Sequence, residues 1–108
     1  MGLIVNDYHL AGEVCGTLQQ GRDPLPWLYV EVMTAATVWD RHGRTTTVEV
    51  RERVVLQGPI TIKAVRPRLT KGTTIYVTGQ RVPAYTVTAD TAGIKGLVLL
   101  ATSLQIIQ

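Results

Sequence analysis

The sequence is poor in the residues that most often betray a chemistry. Its 108 residues include one cysteine, Cys15. A lone thiol closes no internal disulfide and has no partners for a cysteine-rich metal site, so it reads as a small buried apolar side chain. The two histidines, His9 and His42, stand far apart in the sequence with no second ligand at metal-binding spacing, which argues against a metal site. The stretch "GTLQQG" lacks the lysine-hydroxyl ending of a phosphate-cradling loop, and no nucleophile, histidine and carboxylate set stands out. A protein that is not an enzyme, with no cofactor and no metal, is expected.

Long hydrophobic runs are missing as well. The longest, "GLVLLA", is far too short to cross a bilayer, so no membrane partner is expected. The opening "MGLIVNDYHLAGEV" lacks the basic leader, apolar segment and small-residue cleavage site of a secretory signal, which points to the cytoplasm. A hydrophobic fraction of 45% with 18% charged residues excludes a disordered tail. The length suits one small domain, read as 1–108, with a single core.

What is present is basic and strand-forming. Eleven Lys and Arg against eight Asp and Glu leave a net charge of +3 and a pI near 9.4, a mild lean towards polyanions. Arginines dominate the basic set, and arginine stacks on bases and forks onto phosphates better than lysine does. Val, Ile and Thr are abundant, polar and apolar residues alternate, and no apolar stripe holds a helical period for three turns. An all-β domain follows.

Five strands can be placed. The first runs through "DYHLAGEVCG", with Gly12 where a bulge or sharp bend would want it, and a turn through "QQGRDPLP" follows. The second is "WLYVEVMTAATVW", where Leu28, Val30 and Val32 alternate with Trp27, Tyr29 and Glu31. Asp40 and Gly43 in "DRHGR" make it a hairpin with the third, "TTTVEVRERVVLQG". There Val48, Val50, Val54 and Leu56 share one face, with Glu52 as the exception, and Glu49, Arg51, Arg53, Val55 and Gln57 share the other. "PITIKAVRPRLTK" allows a short helix starting at Pro59 or an irregular connector, and Pro67 forbids more than a turn or two. The fourth strand lies in "RLTKGTTIYVTGQ", with Ile75 and Val77 inward and Gly79 closing it. The fifth is "GLVLLATSLQII", reached through "RVPAYTVTADTAGIK", read as a protruding hairpin. By alternation Tyr8, Tyr29 and Tyr76 point outward, and Trp27 is assigned to core packing or a subunit contact.

This arrangement suggests a five-stranded OB-fold barrel, although other small barrels and a sandwich share the strand count. Three segments in order, "HLAGEV", "VEVRERVVLQG" and "RLTKGTTIYVTGQ", resemble the bacterial single-stranded DNA-binding protein family. The last is the most specific: in that family a Lys-Gly pair turns the chain into an alternating strand, and the Gly-Gln after it opens a long hairpin. Members of the family continue into an acidic-tipped tail, whereas this sequence ends at Gln108. That leaves open a removed tail or a likeness to the tail-less primosomal replication protein N, an OB-fold dimer.

The resemblance implies non-catalytic, largely sequence-independent binding of single-stranded DNA in replication, recombination or repair. It also implies a homo-oligomer, dimer or tetramer, with replication proteins as further candidate partners. Trp39 falls where the family has a stacking tryptophan, and Tyr85 near the aromatic of the long hairpin. Arg51 and Gln57 stand where the family has aromatics, so weaker or more salt-dependent binding is expected. Arg53 shares their face, and Glu49 could pair with Arg51. Arg41, Arg44 and Arg81 of the two hairpins, with Tyr76, complete the candidate surface. The alternative is a protein-interaction or assembly module of a replication or primosome complex with weak or no DNA binding.

Overall fold

Alternation of apolar and polar residues sets the strand faces, and closure of the barrel sets which of them become core. The computed structural model of the chain describes residues 7–16 and 18–107. The reading of the first six residues, and the outer limits of the 1–108 domain, lie outside the described residues.

Six strands form: β1 (Tyr8–Val14), β2 (Gln19–Gly21), β3 (Trp27–Trp39), β4 (Thr45–Gln57), β5 (Thr74–Pro83) and β6 (Leu97–Ile106). One short helix, α1 (Pro59–Val65), continues into a 3-10 turn at Arg66–Arg68. The sheet order is β1-β5-β6-β4-β3-β2, and β1 also pairs with β3, which closes a five-stranded barrel. All pairings are antiparallel except β4 with β6, which is parallel at Val54–Leu99 and Val55–Leu100. This is an OB-fold.

Closure depends on Gly12. β1 pairs with β5 from Tyr8 to Glu13 and with β3 at Glu13 and Val14, so it changes partners where it bends. A β-carbon at Gly12 would lie 2.4 Å from the Met33 carbonyl oxygen, a distance no side chain tolerates. The Lys-Gly turn before β5 works through Gly72, which takes φ +91° and donates its N–H to the Val14 carbonyl at 2.8 Å. The turn is thereby tied to the end of β1, and β5 starts in register beside it.

Inside the barrel, Val14, Leu28, Val30, Val32, Val54, Leu56, Ile75, Val77 and Leu99 form the core, and Ile62 and Leu69 plug its bottom from the connector. Pro59 opens α1, where a missing N–H costs nothing. Pro67 then limits the helix to about two turns, because it cannot donate to the helical ladder. The connector is the short helix of the two sequence alternatives.

Three features differ from the sequence reading. "QQG" forms the brief edge strand β2 rather than only a turn. β5 runs past Gly79 to Pro83 through a register shift at Thr78/Gly79. The β5–β6 connection is a hairpin, but its end folds back instead of protruding as a ribbon. Two 3-10 turns, Ala84–Thr86 and Asp90–Ala92, lie over the outer sheet face, where Ala84 and Val87 bury against Trp27, Val55 and Val98. Burying those apolar side chains is worth more than extending a solvated ribbon.

Candidate nucleic-acid interface

The β3–β4 hairpin carries most of the candidate residues. Its ladder runs unbroken from the Trp27–Gln57 pair to the Trp39–Thr45 pair, so the odd-numbered residues of both strands share one face. Among the described residues the folded-back 84–96 segment covers the base of this face, and exposure rises from there to the tip.

At the tip, the Asp40 carboxylate accepts backbone N–H bonds from His42 at 2.8 Å and Arg44 at 3.0 Å, and Gly43 takes φ +76°. The side-chain bonds replace the ladder at the turn and fix the direction in which the strands leave it. Trp39, immediately before the turn, is 75% exposed, an unusual placement for an indole without a binding role. Arg41 and Arg44 flank it, both exposed, with Arg44 within 3.7 Å of Asp40 in a weak surface ion pair.

Nearer the barrel, β4 and the start of β6 diverge after their short parallel pairing and leave a polar cleft of about 380 Å³. Arg51, Arg53, Arg81, Glu52 and Leu97–Leu99 line it, which sets three guanidiniums against one carboxylate. Arg51 is exposed and lies 3.9 Å from Glu31, not paired with Glu49. Arg53 is half-buried and donates to the carbonyl of Leu97 at 2.6 Å and to that of Lys95. Arg81 meets Glu52 at 3.2 Å and lies 4.8 Å from the centroid of the Tyr8 ring. Tyr8, exposed as expected, sits on the same side of β1 as Leu10, where Arg81 covers one face of its ring.

The second aromatic is presented by the folded-back segment. Ala84 donates to the Gly96 carbonyl at 2.8 Å, Thr88 Oγ1 donates to the Ala84 carbonyl at 2.8 Å, and Gln19 Nε2 donates to the Ala92 carbonyl at 3.1 Å. These bonds pin the segment over Trp27, itself 2% exposed with its Nε1–H donating to the Asp23 carbonyl at 3.0 Å. Trp27 is thus core. Tyr85 stands out of the pinned segment, 72% exposed.

Of the nine residues read from the sequence, Trp39, Arg41, Arg44, Arg51, Arg53, Arg81 and Tyr85 line or flank this hairpin, cleft and segment. Gln57 is half-buried at the base of the face, opposite Trp27. Tyr76 lies elsewhere: its hydroxyl is 2.7 Å from His9 Nδ1 on the β1–β5 wall. Tyr29 is also drawn in, its hydroxyl donating to Glu31 at 3.2 Å. Burial first, and the neighbouring Glu31 carboxylate second, push its pKa above the usual 10.0.

Glu52 and Leu97, which line the cleft, were not among the candidates read from the sequence, and Tyr8 was read only as an outward ring. Glu52 was visible as the one charge on an apolar face, but its partner lies beyond the point where β5 was expected to end. Among the described residues no group of three or more His, Cys, Asp or Glu could hold a metal ion. No helix there is long and apolar enough to cross a membrane.

No family model and no curated protein sequence matches the chain. Solved structures do. A deletion mutant of the single-stranded DNA-binding protein of Thermus aquaticus superposes with a TM-score of 0.76 at 20% identity, covering 96% of this chain and 51% of that one. This chain therefore spans about half the length of the Thermus protein. The Plasmodium falciparum single-stranded DNA-binding protein, solved in complex with single-stranded DNA, gives 0.75 at 15% identity, covering 100% of this chain and 99% of that one. The PriB protein of Ralstonia solanacearum gives 0.65 at 13% identity, covering 97% and 100%. The chain has the fold these proteins share, and they are of the two kinds its sequence resembles.

Proposed function

We propose that this chain binds single-stranded DNA without catalysis or cofactor, largely independently of sequence, in replication, recombination or repair. The observation that carries the reading is one cleft lined by Arg51, Arg53 and Arg81, with exposed Trp39 and Tyr85 on the elements beside it. A single strand offers phosphates and base faces together, and this surface offers cations and flat rings together. Two exposed rings plus stacking guanidiniums suffice for a non-specific binder, since each stacked base contributes about 1–3 kcal/mol. The Plasmodium protein, solved with single-stranded DNA, supports the reading by its shared fold.

The unit that binds is proposed to be one domain over 1–108, acting in the cytoplasm as a homo-oligomer, dimer or tetramer. Val38 and Val48, on the even-numbered face of the projecting hairpin, are 39% and 40% exposed, apolar surface that a second copy would cover. Sedimentation tests this: a stable monomer at micromolar concentration would remove the oligomer. The DNA reading is tested by a gel-shift titration with a poly-thymidine oligonucleotide against a duplex of equal length. Retention of the single strand alone supports it, and no shift, or an equal shift of both, refutes it.

A further inference from the structure

A second concave surface lies at the bottom of the barrel, where β2, the 22–26 segment and the α1 connector enclose a groove of about 500 Å³. Its size falls within the range of small binding pockets. Pro26, Ile62 and Pro67 supply apolar surface, and Arg22, Lys63 and Arg66 stand around it, all three exposed. Among the described residues no carboxylate lines it. Arg66 is held by a hydrogen bond to the Gln20 side-chain oxygen, while the ion pairs found among the described residues all lie elsewhere.

The groove is separate from the DNA cleft. Along β3, Pro26 lies five residues before Glu31, the pairing partner of cleft residue Arg53, about 17 Å at 3.3 Å per residue, and thirteen residues before Trp39, about 40 Å. Gln20 pairs with Leu28, which faces the barrel core, whereas Trp39, Arg51 and Arg53 stand on the odd-numbered face. Among the described residues no aromatic ring lines the groove, so these residues offer no platform on which bases stack. β2 ends the sheet order, so one edge of this strand is left for an extended chain to pair with.

We propose that this groove docks an acidic, extended segment of another protein. One apolar side chain of that segment sits on Pro26, Ile62 and Pro67, and carboxylates on either side of it pair with Arg22, Lys63 and Arg66. The charge of the lining selects the acid, and the apolar floor selects a peptide over a bare polyanion.

The probe is a short fluorescent peptide in which aspartates alternate with leucines, followed by anisotropy on the full chain at low salt. Its control carries asparagine for aspartate. The aspartate peptide binds at least tenfold more tightly than the control, and the exposed-site double variant R22E/K63E weakens it at least tenfold while oligonucleotide binding, read at moderate salt where distant charges are screened, changes less than about threefold. Equal binding of the two peptides, no binding, or no effect of R22E/K63E would overturn the proposal. Displacement of the peptide by poly-thymidine would overturn it too, by making the groove part of the DNA track. Peptide binding without DNA binding would leave the docking groove standing and reject only the DNA reading.

Discussion

Arg53 on β4 donates to the Leu97 carbonyl of β6 at 2.6 Å, one residue from Val54 and two from Leu99, the pair at the end of the ladder between the two strands. A side chain thus continues the connection where the ladder stops. Through Lys95 the same guanidinium anchors the end of the segment that presents Tyr85.

Arg53 and Arg51 should therefore fail differently. Arg51→Ala removes an exposed charge that is only loosely paired with Glu31 and should reduce the log-log salt slope of binding by about 0.7, the contribution of one phosphate contact. Arg53→Lys keeps the charge but loses the fork that spans two carbonyls. Its salt slope should stay unchanged while affinity falls and amide exchange in 84–96 quickens. An Arg53→Lys protein identical to wild type in exchange and affinity would refute the anchoring role.

The aromatic platforms should act on binding and not on folding. Trp39→Ala and Tyr85→Ala should each weaken oligonucleotide binding by about 1–3 kcal/mol, roughly 5- to 150-fold. Because both rings are mostly exposed, melting temperatures should move little. Unchanged affinity in both variants would assign the surface to a protein partner.

Trp27 predicts the reverse. Its ring lies so close to Gly21 that an added β-carbon there would be 2.4 Å from it, and it forms the floor under Ala84 and Val87. Trp27→Ala should cost about 3–5 kcal/mol in urea unfolding. The folded-back segment should loosen with it, seen as proteolysis within 84–96.

Tyr29 links stability to alkaline pH. Its folded-state pKa is raised above 10.0, so the folded protein holds the proton longer than the unfolded chain. Its contribution is fully present below pH 10.0 and is lost as pH rises through the higher folded value. Tyr29→Phe should flatten that decline, and absorbance titration should find one of the four tyrosines ionising late.

Much of the barrel was legible because alternation and glycine placement are local signals. "WLYVEVMTAATVW" fixed β3 to its ends, and Gly12 and the Lys71-Gly72 pair marked the bend and the turn. Less legible was what distant segments do to one another. Val87 and Ala84 read as loop residues until Trp27 and Val55 are seen beneath them. Arg81 read as a hairpin charge, yet it reaches Glu52 because β5 continues across a bulge that no sequence pattern announced. Within the site, Trp39 was readable from its position before a polar turn. The anchoring of Arg53 was not, since it depends on where β6 leaves β4.

The most direct measurement is tryptophan fluorescence during titration with poly-thymidine at low and moderate salt. Of the two tryptophans, Trp27 is buried at 2% exposure and Trp39 is 75% exposed, so a stacking signal must come from Trp39. The account predicts saturable quenching by the single strand that weakens with salt, is absent with duplex, and disappears in Trp39→Phe. Quenching that persists in Trp39→Phe, or no quenching by the single strand, would contradict it.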